Sequence, residues 1–454
     1  MASNYLEALS TIVYIVVCVL SSLKVELFPS TETYLRPSQP SRTIFASIVD
    51  LLYTLHPLLS MSPTDDYTVG WICAFEPEYV AAQLCLDVIH PKLDFHPSPH
   101  DTNTYTLGKI SNHNVVIACL PDGSYGTSSA ANVANNMLRS FSNVRIGLMV
   151  GIGGGAPTAD HDIRLGDIVV GVPRGTMGGV FQYDFGKRIQ EQDFQETGFL
   201  NRPPTALLTA VMQLKTKHRL KRGSLEMALD LILENQDEEL REGLERPDAS
   251  TDILYQSDFV HPRNEKSDCS ETCGIDPVNV VSRPERTRRP RSPAVHYGLI
   301  ASANQLMKDA VQRDKFARLR GVLCFETEAA GLMNNFPCLV IRGICHYSDS
   351  HKHKLWQDYA ALAAAVYAKD LLAEISPTKV QAEKKLSELV ENGKPWLVLW
   401  CLSETVKATG EAVISLIEST VVKNKDNKIL DWLTPTRDSS QYSDLLKLRQ
   451  RGTC

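Results

Sequence analysis

The 454-residue chain contains no G-x-x-x-x-G-K-[ST] segment, so it encodes no loop of the kind that cradles a nucleoside triphosphate. It has no Gly-x-Ser-x-Gly elbow, and its cysteines fall mostly inside apolar runs, which argues against a serine or cysteine hydrolase. Charge of one sign is not in excess either. Lys and Arg number 47 against 53 Asp and Glu, and a net charge of -6 offers no basic surface for a nucleic-acid backbone. The one basic cluster, Arg283 to Arg291, sits among prolines and reads as a solvated loop. A long apolar run is also missing: Ser10 to Leu20 is short for a membrane span of ~20 residues, and no Lys or Arg precedes it as a signal peptide would require. The partners expected are therefore neither nucleic acid nor membrane.

What is there is the material of a large α/β core. With 43% apolar and 22% charged residues, the chain is read as one big domain with additions. Eleven cysteines, among them Cys73, Cys119, Cys324, Cys338 and Cys345 in apolar stretches, suit reduced thiols and a cytoplasmic location. Cys269 and Cys273 could begin a metal site, but no second pair follows at zinc spacing, so metal is set aside. Asp349, His351 and His353 are read as solvent-facing residues of a charged helix start.

Along the chain the first sixty residues are read as an extension outside the domain, a dispensable or mis-predicted N-terminus and not a secretion signal, with Met61 as an ordinary start. From Tyr67 strand and helix patterns alternate: Thr68 to Ala74 a strand, Glu78 to His90 a helix, Val115 to Leu120 a strand, Thr127 to Ser142 a helix and Val144 to Gly151 a strand. Such alternation predicts a three-layer αβα arrangement about a largely parallel to mixed sheet. Residues 219–293 interrupt it with charged, proline-rich sequence and one helix near Ser224 to Glu234. Asn304 to Arg320 is amphipathic, and Tyr359 to Leu372 is apolar nearly all round and should be buried. The domain is placed at 65–376, and 377–454 is read as a helical tail.

Chemistry concentrates late in the domain. Cys324-Phe-Glu-Thr-Glu-Ala-Ala-Gly331 and Pro337-Cys-Leu-Val-Ile-Arg-Gly-Ile-Cys-His-Tyr-Ser-Asp349 read as strand, short helix and strand, setting Glu328, His346 and Asp349 at one sheet edge. Open α/β sheets bind ligands at such edges. Phe325-Glu-Thr-Glu-Ala-Ala-Gly331 resembles the Glu-Met-Glu-Ala signature of the nucleoside phosphorylase and nucleosidase superfamily, and Arg342-Gly-Ile-Cys-His-Tyr-Ser-Asp349 resembles its Arg-x-Ile-Ser/Cys-Asp motif. Tyr67 to Glu78, Val150-Gly-Ile-Gly-Gly-Gly-Ala-Pro157, Arg164 to Val170, His296 to Ser302 and Trp356 to Lys369 match further segments in the same order. The tail resembles the connector by which fungal members join this domain to a NACHT nucleotide-binding switch, so the sequence looks like a receptor-like architecture cut before that switch.

The resemblance implies a nucleoside phosphorylase-like fold and cleavage of the N-glycosidic bond of purine nucleosides or nucleotides. It implies no cofactor, inorganic phosphate as co-substrate if the reaction is phosphorolysis, and a homo-oligomer. By motif, Glu328 would bind the ribose hydroxyls and oppose the positive charge of a ribosyl cation-like transition state, while Glu78 would activate water. His346 stands where the family usually has the Asp that protonates the base. Thr327 replaces a usual Met, Ala303 a usual Gly, and Leu306 and Met307 fall in the base-recognition segment. The glycine loop Gly151, Ile152, Gly153 and Gly154 would present backbone N–H groups to phosphate or sugar. Glu326 is read as structural, on the opposite face from Glu328, and Gly126-Thr-Ser-Ser129 as a helix cap. The competing reading is a nucleoside-sensing or scaffold module of a signalling protein, which keeps the fold and has lost turnover at His346.

Overall fold

In a computed structural model, residues 63–391 are described, apart from 93–97, 99, 193, 222, 264, 266, 268, 287–291 and 352. The N-terminal extension read at 1–60 and the tail helices read beyond Glu391 lie outside the described residues.

Apolar runs supply the sheet. β1 (Val69–Cys73) is buried at every position and lies between β4 (His113–Cys119) and β5 (Ile146–Gly155), parallel to both. On one side the order continues through β3 (Tyr105–Ile110) to β2 (Val88–Ile89), both pairings antiparallel. On the other, β5 pairs in parallel with β12 (Cys338–His346). β12 then meets β6 (Ile168–Gly171), β10 (Val295–Ser302) and β11 (Val322–Glu326) in turn, with β7 (Val180–Gln182) joined to β10. The result is a ten-stranded mixed sheet, while β8 (Gly186–Lys187) and β9 (Gln195–Glu196) form a separate antiparallel pair. One additional pairing matters for the site: β11 runs antiparallel to the end of β5 at Cys324 and Phe325, closing β11, β10, β6, β12 and β5 into a ring.

The glycine run is where the sequence reading of a loop is corrected. Gly151 to Gly155 continue β5 instead of leaving it, and they are glycine because of what they face. A Cβ on Gly151 would stand 2.1 Å from Glu78 Oε1, and one on Gly154 would stand 2.4 Å from His346 Cε1. Close approach, with no left-handed backbone, is the constraint at both.

Helices cover the sheet. α1 (Glu76–Leu84) is shorter than the helix read to His90, because the chain turns into β2. α2 (Thr127–Ser140) packs on β1 and β4. Before the interruption the structure adds α3 (Thr205–Leu220); within it, α5 (Glu238–Leu244) and a helical turn α6 (Cys269–Thr272) join the expected α4 (Ser224–Glu234). α7 (Ala310–Arg320) begins later than the amphipathic pattern, since Asp309 caps it through Val311 and Gln312 N–H groups. α8 (Gln357–Ala373) is buried nearly all round, as its composition requires, and rests on β5, β12 and α1. Among the described residues no helix is long and apolar enough to cross a membrane.

The domain does not stop at 376. α9 (Pro377–Ala382) and α10 (Leu386–Glu391) follow it, with Val380 and Leu386 buried in the main core. Leu386 N–H donates to the Val144 carbonyl at 2.8 Å, and Ser387 Oγ to that of Ser142 at 2.9 Å. The first two arginines of the basic cluster are pins and not solvated charges: Arg286 reaches Asp167 at 2.6 Å and Arg283 reaches the Tyr347 hydroxyl at 2.9 Å.

Candidate active site

β1 ends at Cys73, and the turn that follows starts α1 with Glu78 in its first turn. Glu78 Oε2 accepts from the Ala74 and Phe75 N–H groups at 2.7 and 3.2 Å, a helix-capping arrangement. Its other oxygen does something a cap does not need. Oε1 crosses to β5 and accepts from Ile152 N–H at 2.8 Å, in the space left by Gly151. The amide of Ile152, expected to be offered to phosphate or sugar, is therefore already occupied by a carboxylate.

Arg342 is the centre that sequence reasoning passed over. It stands in the middle of β12, where seven of its eight neighbours in the strand are apolar or glycine, and is 1% exposed. Nη2 donates to Glu326 Oε2 and to Glu328 Oε2 at 3.4 Å, Nη1 lies 3.7 Å from Glu78 Oε1, and Nη1 also donates to the Ile152 carbonyl at 3.2 Å. A lone charge inside a buried apolar run was the signal available in the sequence. Glu326 is corrected accordingly: it shares Arg342 with Glu328, and its carboxylate also accepts from Glu328 and Ala329 N–H at 3.1 and 3.0 Å.

Glu328 Oε1 accepts from Gly126 N–H at 3.4 Å and from the Thr327 hydroxyl. The start of α2 is thus faced by a carboxylate from the other end of the domain, an arrangement the helix dipole favours. The Ser/Thr cap expected there is absent; Thr127 N–H and Oγ1 bond Asn304 Oδ1 at 3.0 and 2.9 Å. That places Asn304 beside Glu328. Its own loop is held by Asp184, which accepts Asn304 N–H at 2.8 Å, and by Tyr183, whose hydroxyl donates to the Gln305 carbonyl at 2.6 Å. Met307 is buried with Tyr183, Phe181 and Phe325, whereas Leu306 is exposed.

His346 is not brought into this group. An irregularity in β12 between Ile344 and His346 pairs His346 with Gly154, after Arg342 has paired with Gly151. Those two glycines are three apart on one strand, so the imidazole and the Glu78 carboxylate lie on opposite faces of β5. Ser348 N–H donates to His346 Nδ1 at 3.0 Å, so the neutral ring carries its proton on Nε2.

Burial sets the titration of the cluster. It pushes Glu78 up to about 7, against the opposing pull of Arg342 and the amides of Ile152 and Ala74. Glu326 is raised by the same desolvation, again opposed by Arg342. Burial pushes His346 down to about 4, with Asp349 opposing and His353 and Lys308 adding to the shift. Three carboxylates around one guanidinium leave excess negative charge if all are ionised, which is what a buried site avoids by holding protons or binding a cation.

Two further readings are revised. Asp349 and His351, expected in solvent, are 3% and 4% exposed. The missing second pair for Cys269 and Cys273 is supplied by histidines, His261 and His351, whose ring nitrogens meet the two sulfurs. Arg164 is engaged with Asp162 at 2.9 Å and Arg174 with the Tyr297 carbonyl at 3.0 Å, so neither arginine is directed to the glycine run.

No family model matches the chain. It is similar to a nucleotide-binding leucine-rich repeat (NLR)-like protein of Hyaloscypha variabilis, 47% identical over 325 residues, which cover 72% of this chain and 31% of that protein. The chain thus matches about a third of the relative's length. Among solved structures it is similar to futalosine hydrolase of Helicobacter pylori, with 13% identity, TM-score 0.42, and coverage of 68% of this chain and 99% of that one. It is also similar to 5'-methylthioadenosine/S-adenosylhomocysteine nucleosidase of Neisseria meningitidis in complex with methylthio-immucillin-A, with 14% identity, TM-score 0.41, and coverage of 68% and 99%. At these values the fold rests on the chain's own strand order and pairing.

Proposed function

We propose that the domain binds a purine nucleoside or nucleotide and hydrolyses its N-glycosidic bond. The observation that carries this reading is the buried cluster in which Glu78, Glu326 and Glu328 converge on Arg342. Departure of a base leaves positive charge on the sugar, and a preorganised site with surplus carboxylate stabilises that charge more than it stabilises the neutral substrate. Glu328 would hold the ribose hydroxyls, as its motif suggests. Glu78, fixed by three amide donors and titrating at about 7, suits a base that takes a proton from water near neutrality.

His346 has no direct part in this reading, because its imidazole lies on the other face of β5 from Glu78. The ring is also neutral above about 4, with its proton on Nε2, so it supplies no acid for a departing base. Turnover would then be slow for want of an acid at the base. The second reading, a cytoplasmic nucleoside sensor in a receptor-like protein, is favoured by that same imidazole and by the name of the 47%-identical relative.

The test is Glu328→Gln measured in two ways. The hydrolase reading expects free-base release to fall by ~100-fold or more while nucleoside affinity changes little, because the lost charge matters most in the transition state. Nucleoside binding without base release in the wild type would decide for the sensor; no nucleoside binding at all would remove both.

A further inference from the structure

Among its described residues, the segment from Tyr255 to Val280 has a small apolar core. Its core is Tyr255, Cys269 and Cys273, with Ile253, Phe259 and Val280 packed against them. A core of that size is usually completed by disulfides or a metal. No disulfide joins Cys269 to Cys273. Their sulfurs instead face two imidazoles: His261 Nδ1 lies 3.2 Å from Cys273 Sγ and 3.4 Å from Cys269 Sγ, and His351 Nδ1 lies 3.7 Å from Cys269 Sγ. All four ligand atoms fall within 4.8 Å of one another, and all four residues are buried. A tetrahedral zinc with bonds of about 2.0–2.3 Å sets its ligand atoms about 3.3–3.8 Å apart, which these separations approach without any ion to draw them in.

A separate observation points the same way. His261 Nε2 faces the Glu265 carbonyl at 3.2 Å, and His351 Nε2 faces the Phe259 carbonyl at 3.1 Å. A carbonyl only accepts, so each ring holds its proton on Nε2 and turns a bare Nδ1 lone pair to the sulfurs. This is the outer contact that fixes a metal-bound histidine in the tautomer it needs. Hydrogen bonds from the thiols to Nδ1 are the bland alternative, but they do not account for both rings being held this way around two cysteines.

We propose that His261 Nδ1, Cys269 Sγ, Cys273 Sγ and His351 Nδ1 bind a zinc ion. Two sulfurs and two nitrogens select zinc over magnesium or calcium, which take oxygen ligands. Four protein ligands leave no position for water, so the site is structural and takes no part in hydrolysis. On binding, each thiol releases a proton, and two thiolates balance the charge of the ion inside the protein. α6 makes the pair of cysteines compact, with Cys273 N–H on the Cys269 carbonyl at 2.8 Å, and Gly274 then turns the chain at φ +64°. The ion joins this segment to the loop that follows β12, where Asp349 Oδ1 accepts His351 N–H at 3.0 Å and Ser350 Oγ accepts His261 N–H at 2.9 Å. That loop also carries Ser348, whose N–H orients His346.

The full chain, grown with added zinc and purified without chelator, should carry one zinc per chain by elemental mass spectrometry. The double variant Cys269→Ser/Cys273→Ser should lose nearly all of it. Since loss of the ion also removes what holds this segment, a wild-type sample stripped with chelator and reloaded with cobalt provides a second measurement that does not depend on the variant folding: the proposal expects the strong visible absorption and thiolate charge transfer of tetrahedral cobalt. Zinc near zero in the wild type, an intact mass short by the two hydrogens of a disulfide, an octahedral cobalt spectrum, or full zinc retained in the double variant would each overturn it.

Discussion

Burial has moved two site residues in opposite directions, and the signs can be followed through pH. Glu78 titrates at about 7 instead of 4.5, so the fold favours its protonated form; that contribution is full below 4.5 and is lost as pH rises through 7. His346 titrates at about 4 instead of 6.5, so the fold favours the neutral ring; that contribution is full above 6.5 and is lost as pH falls through 4. Each shift corresponds to at most about 3 kcal/mol. Melting curves should therefore show Glu78→Gln gaining stability relative to the wild type between 4.5 and 7, and His346→Asn losing less than the wild type as pH falls from 6.5 to 4. Parallel pH profiles for variant and wild type would mean these groups are not desolvated as described. In turnover, His346→Asp should leave base release within a few-fold of the wild type, since position 346 lies on the other face of β5 from Glu78; a rise on the order of 100-fold would show that this position does protonate the base. Glu78 and Glu328 were legible in the sequence because their motifs are local. Arg342 was visible as a charge in an apolar run, but its three partners come from elements far apart in the chain, and only the fold shows that one guanidinium serves them all.

At the scale of elements, β5 explains why glycines gather where they do. Gly151→Ala would drive a methyl into Glu78 Oε1, a contact of 2.1 Å, and should displace that carboxylate from the Ile152 amide. Such overpacking costs about 1–3 kcal/mol, and base release should fall with it. Gly343→Ala is expected to be worse for stability, because its Cβ would stand 1.8 Å from the Ala360 carbonyl of α8, and a helix backbone cannot rotate away as a side chain can. Denaturant unfolding of the two variants gives the order directly; equal losses would mean that α8 yields as readily as Glu78. The strands β1 and β4 and the helices α2, α4 and α8 could be read from apolar periodicity. The continuation of β5 through Gly155 could not, since a glycine run carries no strand propensity, and the antiparallel contact with β11 that holds it is not local. The same limit hid the joining of His261 and His351 to Cys269 and Cys273, whose spacing matches no compact zinc pattern.

For the molecule as a whole, the described domain extends past the end read from the sequence. A fragment spanning 61–391 should melt higher than one spanning 61–376, because the shorter one exposes the surfaces that Val380 and Leu386 cover, each worth about 1.5–3 kcal/mol when buried. Equal melting temperatures would show that α9 and α10 add nothing to the core. Order of elements, more than any single motif, made the general architecture legible, while its closure into a ring through β11 and β5 was not. The central claim concerns chemistry at the Arg342 cluster. It is tested most directly by following free-base release from purine nucleosides by the full chain as a function of pH. The account predicts release whose rate rises with pH through about 7 as Glu78 ionises, and no such rise in Glu78→Gln. Nucleoside that binds yet yields no free base at any pH, from the wild type or from His346→Asp, would contradict it.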